Sequence, residues 1–341
     1  MKLPDPRGPL SSALITVLKC PPSVQDLCAV RDALEDSLQG NNVFYHEDLQ
    51  ITLFMLYELH YGGIEEVDDR WEWNPNLLAV RSRIEKVFES QLRHEVGDVS
   101  RTEPEAQAVA EALFELASDD GGPSVSTFVA RHATLEQARE LLVHKSPYQL
   151  KEADPHTWAI PRLSGRAKSA LVEIQTDEYG GGRLGHMHSE LFAITMTGLG
   201  LDSTFGAYIN SIPAVSLASV NAMSLFGLQR RLRGAIVGHL AMYEMTSSIP
   251  QARYARGFRR LGFESPVTDY FDEHVEADAV HEQIAARDLA GGLVEQHPEL
   301  ADDIFFGAAA VGFLDGLVGR WQLQAWEKQE SSLRIPVEVA A

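Results

Sequence analysis

Cysteine is nearly missing from this sequence. Cys20 and Cys28 are the only two in 341 residues, both in the first tenth of the chain. Two thiols exclude a disulfide framework, nothing nearby completes a thiolate metal site, and free thiols in a reducing compartment are expected. Positive charge is also short, with 29 Lys and Arg against 49 Asp and Glu and a net charge of −20. Such an excess of acid argues against DNA, RNA or an anionic membrane surface as a main partner. No apolar run reaches the roughly 18 residues that a membrane span needs. The opening "MKLPDPRGPL" lacks the basic flank and apolar block of a signal peptide. A cytoplasmic protein is therefore expected. Strand-like alternation is scarce as well.

Helical spacing is abundant. Segments such as "EDLQITLFMLYELHY", "LLAVRSRIEKVFESQLRHEV" and "PEAQAVAEALFELAS" repeat apolar residues every three or four positions. With 45% hydrophobic residues the chain can bury a sizeable core, and an all-α bundle is the expected fold. The polar stretch "SDDGGPSVS" (118–126) is the best boundary, since Gly121, Gly122 and Pro123 stop a helix. It divides an N-terminal helical unit (1–120) from a second unit (126–330), with "SSLRIPVEVAA" as a frayed tail. In the second unit "SPYQLKEADPHTWAIPRLSG" reads as irregular, and "PAVSLASVNAMSLFGLQRRLRGAIVGHLAMYEMTSS" as one long helix.

The chemistry concentrates in "DEHVEADAVHEQ" (272–283), a helix free of glycine and proline. At about 100° per residue, His274, Asp278 and His281 fall within roughly 60° of one another and form one stripe. Imidazole, carboxylate and imidazole on one stripe resemble the ligand edge of a metal site. In "GAIVGHLAMYEMTSS", Glu244 shares its helix face with Val237, Leu240 and Ala241. A carboxylate there needs a positive partner, either a metal or an arginine of "QRRLR". In "LVEIQTDEYGGGRLGHMHSELF", Glu178 ends a helix, three glycines follow, and His186 and His188 open the next. The glycines let the chain turn back and set an imidazole beside Glu178. The alternative is an ordinary glycine cap with both histidines exposed. His188, one turn before Phe192, is the better placed of the two.

Carboxylates with imidazoles and no thiolate suit iron or manganese; zinc is possible and copper would want more nitrogen or sulfur. Six such groups are too many for one metal with an open position and about right for two. Facing helices of a bundle are where such centres are built, although the paired Glu-x-x-His motifs of ferritin-like proteins are absent here.

The stretch "DEYGGGRLGHMHSELF", Glu244 within "GHLAMYEMTSSIP" and "DEHVEADAVHEQ" together resemble the haem-oxygenase-like di-iron oxidases, also described as iron-containing redox enzymes. The resemblance covers roughly residues 145–300. It implies a helical bundle related to haem oxygenase, with two iron ions in place of haem. The implied ligands are Glu178, His188, Glu244, His274, Asp278 and His281. Members that oxygenate nitrogen add a further carboxylate, and Glu152 in "YQLKEADPHTW" falls in the matching place, although from the residues alone it reads as an exposed loop acid. The N-terminal unit resembles the accessory domain of those members, which implies a homodimer. The C-terminal cupin of some multidomain members is missing, so chemistry that needs one is not expected.

The expected activity is that of an oxygenase, with O₂ as co-substrate, an external electron donor and a small organic substrate. The extra carboxylate and N-terminal unit favour N-oxygenation of an amine- or guanidine-type nitrogen. Oxidative C–C cleavage or desaturation of an amino or fatty acid by the same centre is the alternative, and a non-catalytic metal-binding protein is a third reading. A haem enzyme would need one proximal histidine and leave five candidates without a purpose. Phe192, Leu240 and Met245 are expected as apolar walls, and Glu276, Glu282 or Tyr243 as partners of the ligands. In the N-terminal unit His46, Glu47, Glu58 and His60 are ligand types, but an amphipathic packing or dimer helix explains them. "RWEWNPN" (70–76) reads as packing.

Overall fold

A computed structural model describes residues 1–22, 27–39, 42–98, 102–118 and 124–337; the side chains of Asp278 and Ala279 are not described. As expected, the fold is all-α, and no strand occurs among the described residues. The N-terminal helices are α1 (Pro9–Leu18), α2 (Cys28–Ser37), α3 (Glu47–Glu58), α4 (Pro75–Val96) and α5 (Ala106–Ala117). There follow α6 (Val125–Arg131), α7 (Leu135–Gln149), α8 (Asp154–Thr157), α9 (Gly165–Glu178), α10 (His188–Gly198), α11 (Ala214–Leu228) and α12 (Arg233–Thr246). The chain closes with α13 (Ser248–Arg260), α14 (Asp269–Gln283), a π-helical segment (Ile284–Ala290), α15 (Gly291–Gln296) and α16 (Ala301–Glu327).

Local chemistry sets the ends of these helices. Asn74 accepts the backbone N–H of Asn76 and Leu77 ahead of Pro75, and Thr134 with Gln137 closes a capping box on α7. Pro147 is accommodated inside α7 rather than in a loop, because the Ser146 hydroxyl donates at 2.8 Å to Val143, the carbonyl that proline leaves unpaired. The long helix expected over 213–248 is broken. Gln229 is extended, and the Arg162 guanidinium donates to the carbonyls of Gly227 and Leu228, so α11 ends there. Nor does the tail fray at once: Ser332 and Leu333 are buried, and Glu140 accepts from the Ser332 N–H at 2.9 Å. Residues 119–123 of the proposed boundary lie outside the described residues.

One hydrophobic cluster runs from Leu10 through Phe44, Phe88 and Leu225 to Leu317, with helices from both ends of the chain. A second gathers Phe192, Phe258, Tyr270 and Phe271, and Tyr243 packs against both. The expected ligand types of the N-terminal unit serve packing. His46 caps α3, Glu47 pairs with Arg7 at 2.5 Å, buried Glu58 pairs with Lys151, and His60 contacts Arg81 at 2.6 Å. Trp71 is buried and donates to the Cys20 carbonyl at 2.9 Å. Neither cysteine is in a disulfide, and no helix among the described residues is long and apolar enough to cross a membrane.

The tightest contact is between α12 and α16. A Cβ on Gly238 would lie 1.8 Å from the Ile304 carbonyl oxygen, and one on Gly307 1.9 Å from that of Ala235. The two backbones therefore touch, and only hydrogen fits between them. Gly238→Ala is expected to cost about 1–3 kcal/mol of stability through overpacking. Urea denaturation would check it, and an unchanged midpoint would contradict this reading of the contact.

Candidate metal centre

Five segments deliver the acids and imidazoles. Glu178 ends α9, where the chain must reverse at once. Gly180 has φ +64, and a Cβ there would strike the His186 backbone carbonyl carbon at 2.5 Å. That close fold-back starts α10 at His188, whose Nδ1 lies 3.0 Å from Glu178 Oε2. Glu190 steadies the turn by accepting the N–H groups of Gly185 and Met187 at 2.8 and 3.3 Å. His186 stays exposed. Glu244 comes in from the buried face of α12, and His274 and His281 from α14. Asp278 lies between them on the same helix, its side chain outside the described residues.

Glu152 is the surprise of position. It stands in the turn after α7, beside Ala153 at φ +75, yet it is only 8% exposed. The turn is fastened on every side. Lys151 pairs with Glu58 of α3 and lies 4.0 Å from the centre of the Tyr61 ring. The Gln175 amide donates to the Ala153 carbonyl at 2.9 Å, and the Tyr179 hydroxyl to Asp154 at 2.8 Å. The reading of Glu152 as an exposed loop acid is thereby corrected: its neighbours are anchored, and the acid is driven inward.

These side chains make two groups of converging donors. Glu152, Glu178, His188 and His274 can each offer an atom within 4.8 Å of the others, and so can Glu178, Glu244 and His281. Glu178 belongs to both. Two of the histidines are held by a second nitrogen. His274 Nδ1 donates to the Tyr270 carbonyl at 2.7 Å, which leaves Nε2 facing Glu152 Oε1 at 3.6 Å. His281 Nδ1 faces Glu244 Oε2 at 3.2 Å while Nε2 meets Asp177 Oδ2 at 3.0 Å. Orientation of a ligand imidazole by a carbonyl or carboxylate is the usual second layer of a metal site. The Tyr270 hydroxyl donates to both oxygens of Glu152, at 3.0 and 2.9 Å.

Electrostatics describe the same cluster. Burial opposes ionisation of Glu178, but His188 beside it, with His274 and His281, holds the carboxyl down at about 2. Burial likewise opposes protonation of His281, yet Glu244 and Asp177 lift it to about 9. Protons thus occupy places a cation would take, so metal uptake expels them and weakens as pH falls. The residues fit a metal. His188 Nδ1 is buried with no directed hydrogen bond. Three buried carboxylates facing three imidazoles form a hard, anionic donor set that a di- or trivalent cation compensates.

Asp177 and Tyr270 were not foreseen. Tyr270 had a signal, one turn before His274 on the same stripe; Asp177, 59% exposed at its side chain, had none beyond its place next to Glu178. Of the partners that were foreseen, Glu276 is exposed, Glu282 takes a hydrogen bond from Gln283, and Tyr243 lies on the wall of the adjoining cavity. That cavity has a volume of about 420 Å³ and reaches Glu152, Glu178, Glu244 and His274. Leu240 lines it, Phe192 is buried edge-on against Tyr270, and Met245 is half-buried. Burial lowers His156, also on the wall, to about 4. Gln175 also lines it, and its buried Oε1 has no hydrogen bond in the protein.

Comparison with known proteins places the same region. Residues 139–315, just over half the chain, match the family described as iron-containing redox enzymes. The nitrosourea synthase of Streptomyces achromogenes subsp. streptozoticus is 33% identical over 161 residues, 47% of this chain and 34% of that protein. The match thus spans about a third of that relative's length.

A change at Asp177 tests the orientation of His281 and leaves every proposed donor in place. Asp177→Asn is expected to weaken iron binding by about 10- to 100-fold, the usual loss when such a partner is removed, with the number of bound ions unchanged. Anaerobic titration against a competing chelator measures it; wild-type affinity would contradict the role given to Asp177.

Proposed function

The chain belongs to the iron-containing redox enzymes, haem-oxygenase-like in fold and oxidoreductases by activity, and from that premise we propose that it is a non-haem di-iron oxygenase. One iron is held by Glu152, Glu178, His188 and His274, the other by Glu178, Glu244 and His281, with Asp278 completing the set. The observation that carries this reading is the membership of Glu178 in both donor groups, since a carboxylate has two oxygens and can serve two ions.

What bound iron supplies there is reducing power and open coordination positions for the activation of O₂. The chain's own residues do the rest. Tyr270 steadies Glu152, Asp177 and the Tyr270 carbonyl orient the imidazoles, and Leu240 with Met223 on the cavity wall limits water near the reacting atoms. Turnover would draw on an external electron donor.

The substrate is a small molecule oxidised at an amine- or guanidine-type nitrogen. What favours nitrogen is the similarity to a nitrosourea synthase. The accessory role of residues 1–120, the iron domain over 126–330 and a homodimer belong to the same proposal.

Anaerobic Fe(II) titration tests the centre. Two ions per chain are expected, with fewer in Glu244→Ala and in His281→Ala, and a transient visible absorption after an O₂ pulse. A full complement of iron in both variants would withdraw the ligand assignment. With amine substrates, a mass gain of one or two oxygens is expected; a shortened carbon chain would favour oxidative cleavage instead. Light scattering at the mass of a single chain would remove the dimer.

A further inference from the structure

Positive charge, scarce in this chain, gathers on one pair of helices. From Ser124 to Leu135 and from Met245 to Phe263 there is no acid, while these stretches hold Arg131, His132, Arg253, Arg256, Arg259 and Arg260. Their helices, α6 and α13, pack so closely that a Cβ on Gly257 would lie 2.6 Å from the Val129 carbonyl oxygen. Arg260 joins them by donating to the carbonyls of Val129, Ala130 and Ala133 at the end of α6. Arg259 turns the other way and pairs with Asp272 of α14 and with Glu264. Glu273 and Glu276 are exposed on α14, so the positive face ends on that side at Arg259. Arg131 and Arg256 are exposed and Arg253 is half-buried. None of these three has an ion pair or side-chain hydrogen bond among the described residues.

The inner face of α13 leads to the metal cluster. Phe258 is buried between Arg256 and Arg260, its ring 4.8 Å from that of Phe271 on α14. Phe271 lies 5.3 Å from Tyr270, and Tyr270 4.4 Å from His274, one of the clustered donors. Ring thus follows ring from the back of the arginine helix to the site. Electron tunnelling weakens steeply with distance and is carried better through packed atoms than across solvent. A carrier seated on α13 stands one helix diameter, roughly 10–12 Å, from α14. We propose that the α6–α13 face, with Arg131, Arg253 and Arg256, is the docking site of the external electron donor, an acidic one-electron carrier protein. The net charge of −20 repels such a partner elsewhere, so charge steers it to this face and keeps the complex short-lived. One electron leaves the carrier per encounter and reduces one ferric ion to ferrous; no bond is made or broken. The delivery of electrons rests on the di-iron reading; the docking does not.

Calorimetric titration of the metal-free chain with oxidised ferredoxin of the plant type and with flavodoxin, both acidic carriers, tests the docking. At least one should bind at low ionic strength and weaken as salt is added. Its affinity should fall about tenfold in the triple variant Arg131→Gln, Arg253→Gln, Arg256→Gln, the combined loss of three exposed charge pairs. A control, Lys19→Gln with Lys86→Gln, removes exposed charge after α1 and on α4 and should bind as the unmodified chain does. Both variants should keep the wild-type melting temperature. Stopped-flow reduction of the iron-loaded chain by the bound carrier should slow in the arginine variant alone. Absence of binding by both carriers, or wild-type affinity in the folded arginine variant, would overturn the proposal. So would a reduction rate indifferent to the arginines. A single-stranded oligonucleotide bound more tightly than either carrier, or a dimer that falls to single chains in the arginine variant, would give the face to another partner and overturn it too. An iron count other than two per chain withdraws the di-iron reading and leaves the docking result standing.

Discussion

The structure turns on the shared position of Glu178. A buried carboxylate at the end of a helix, with His188 on one side and the Glu244–His281 pair on the other, cannot stand among further acids without compensation. Protonated imidazoles supply some of it in the metal-free chain, and their effect on Glu178 measures how strongly the site favours positive charge. A cation does the same more completely, since it replaces several weak partners with one central charge. The donors are hard oxygens and neutral-capable nitrogens, which fits the iron of the family.

Holding six such groups together demands rigid support, and the fold provides it from distant parts of the sequence. The fold-back at Gly180 sets the distance between Glu178 and His188. The glycine contact of α12 with α16 fixes the helix that carries Glu244. The N-terminal helices contribute through Glu58, which anchors Lys151 next to Glu152. Beyond α14 the chain passes into a π-helical turn packed on α9, a deviation often found near functional sites. Such support matches the requirement that a site be precise before any ligand arrives.

How much of this could be read in advance depended on range. The stripe of α14 was legible because helical period alone puts His274, Asp278 and His281 on one face. Glu244 was legible because an acid among Val237, Leu240 and Ala241 contradicts the cost of burial; the pairing of Glu178 with His188 was one of two readings of the three glycines, the other being an ordinary cap with exposed histidines. Glu152 was visible only through resemblance, since nothing local says that its turn is pinned by Glu58, ninety-odd residues upstream in the chain. The same limit hid Asp177. The break between α11 and α12 escaped notice because Arg162, remote in sequence, ends the helix. The buried Ser332 escaped because its partner Glu140 is equally remote.

The central claim is that Glu178 is held in common by two iron ions, and anomalous diffraction from iron-loaded crystals addresses it most directly. Data collected on both sides of the iron absorption edge should give two peaks about 3.5–4 Å apart. One should lie among Glu152, His188 and His274, the other beside Glu244 and His281, with a Glu178 oxygen against each. A single peak, or two with Glu178 bound to only one, would contradict it.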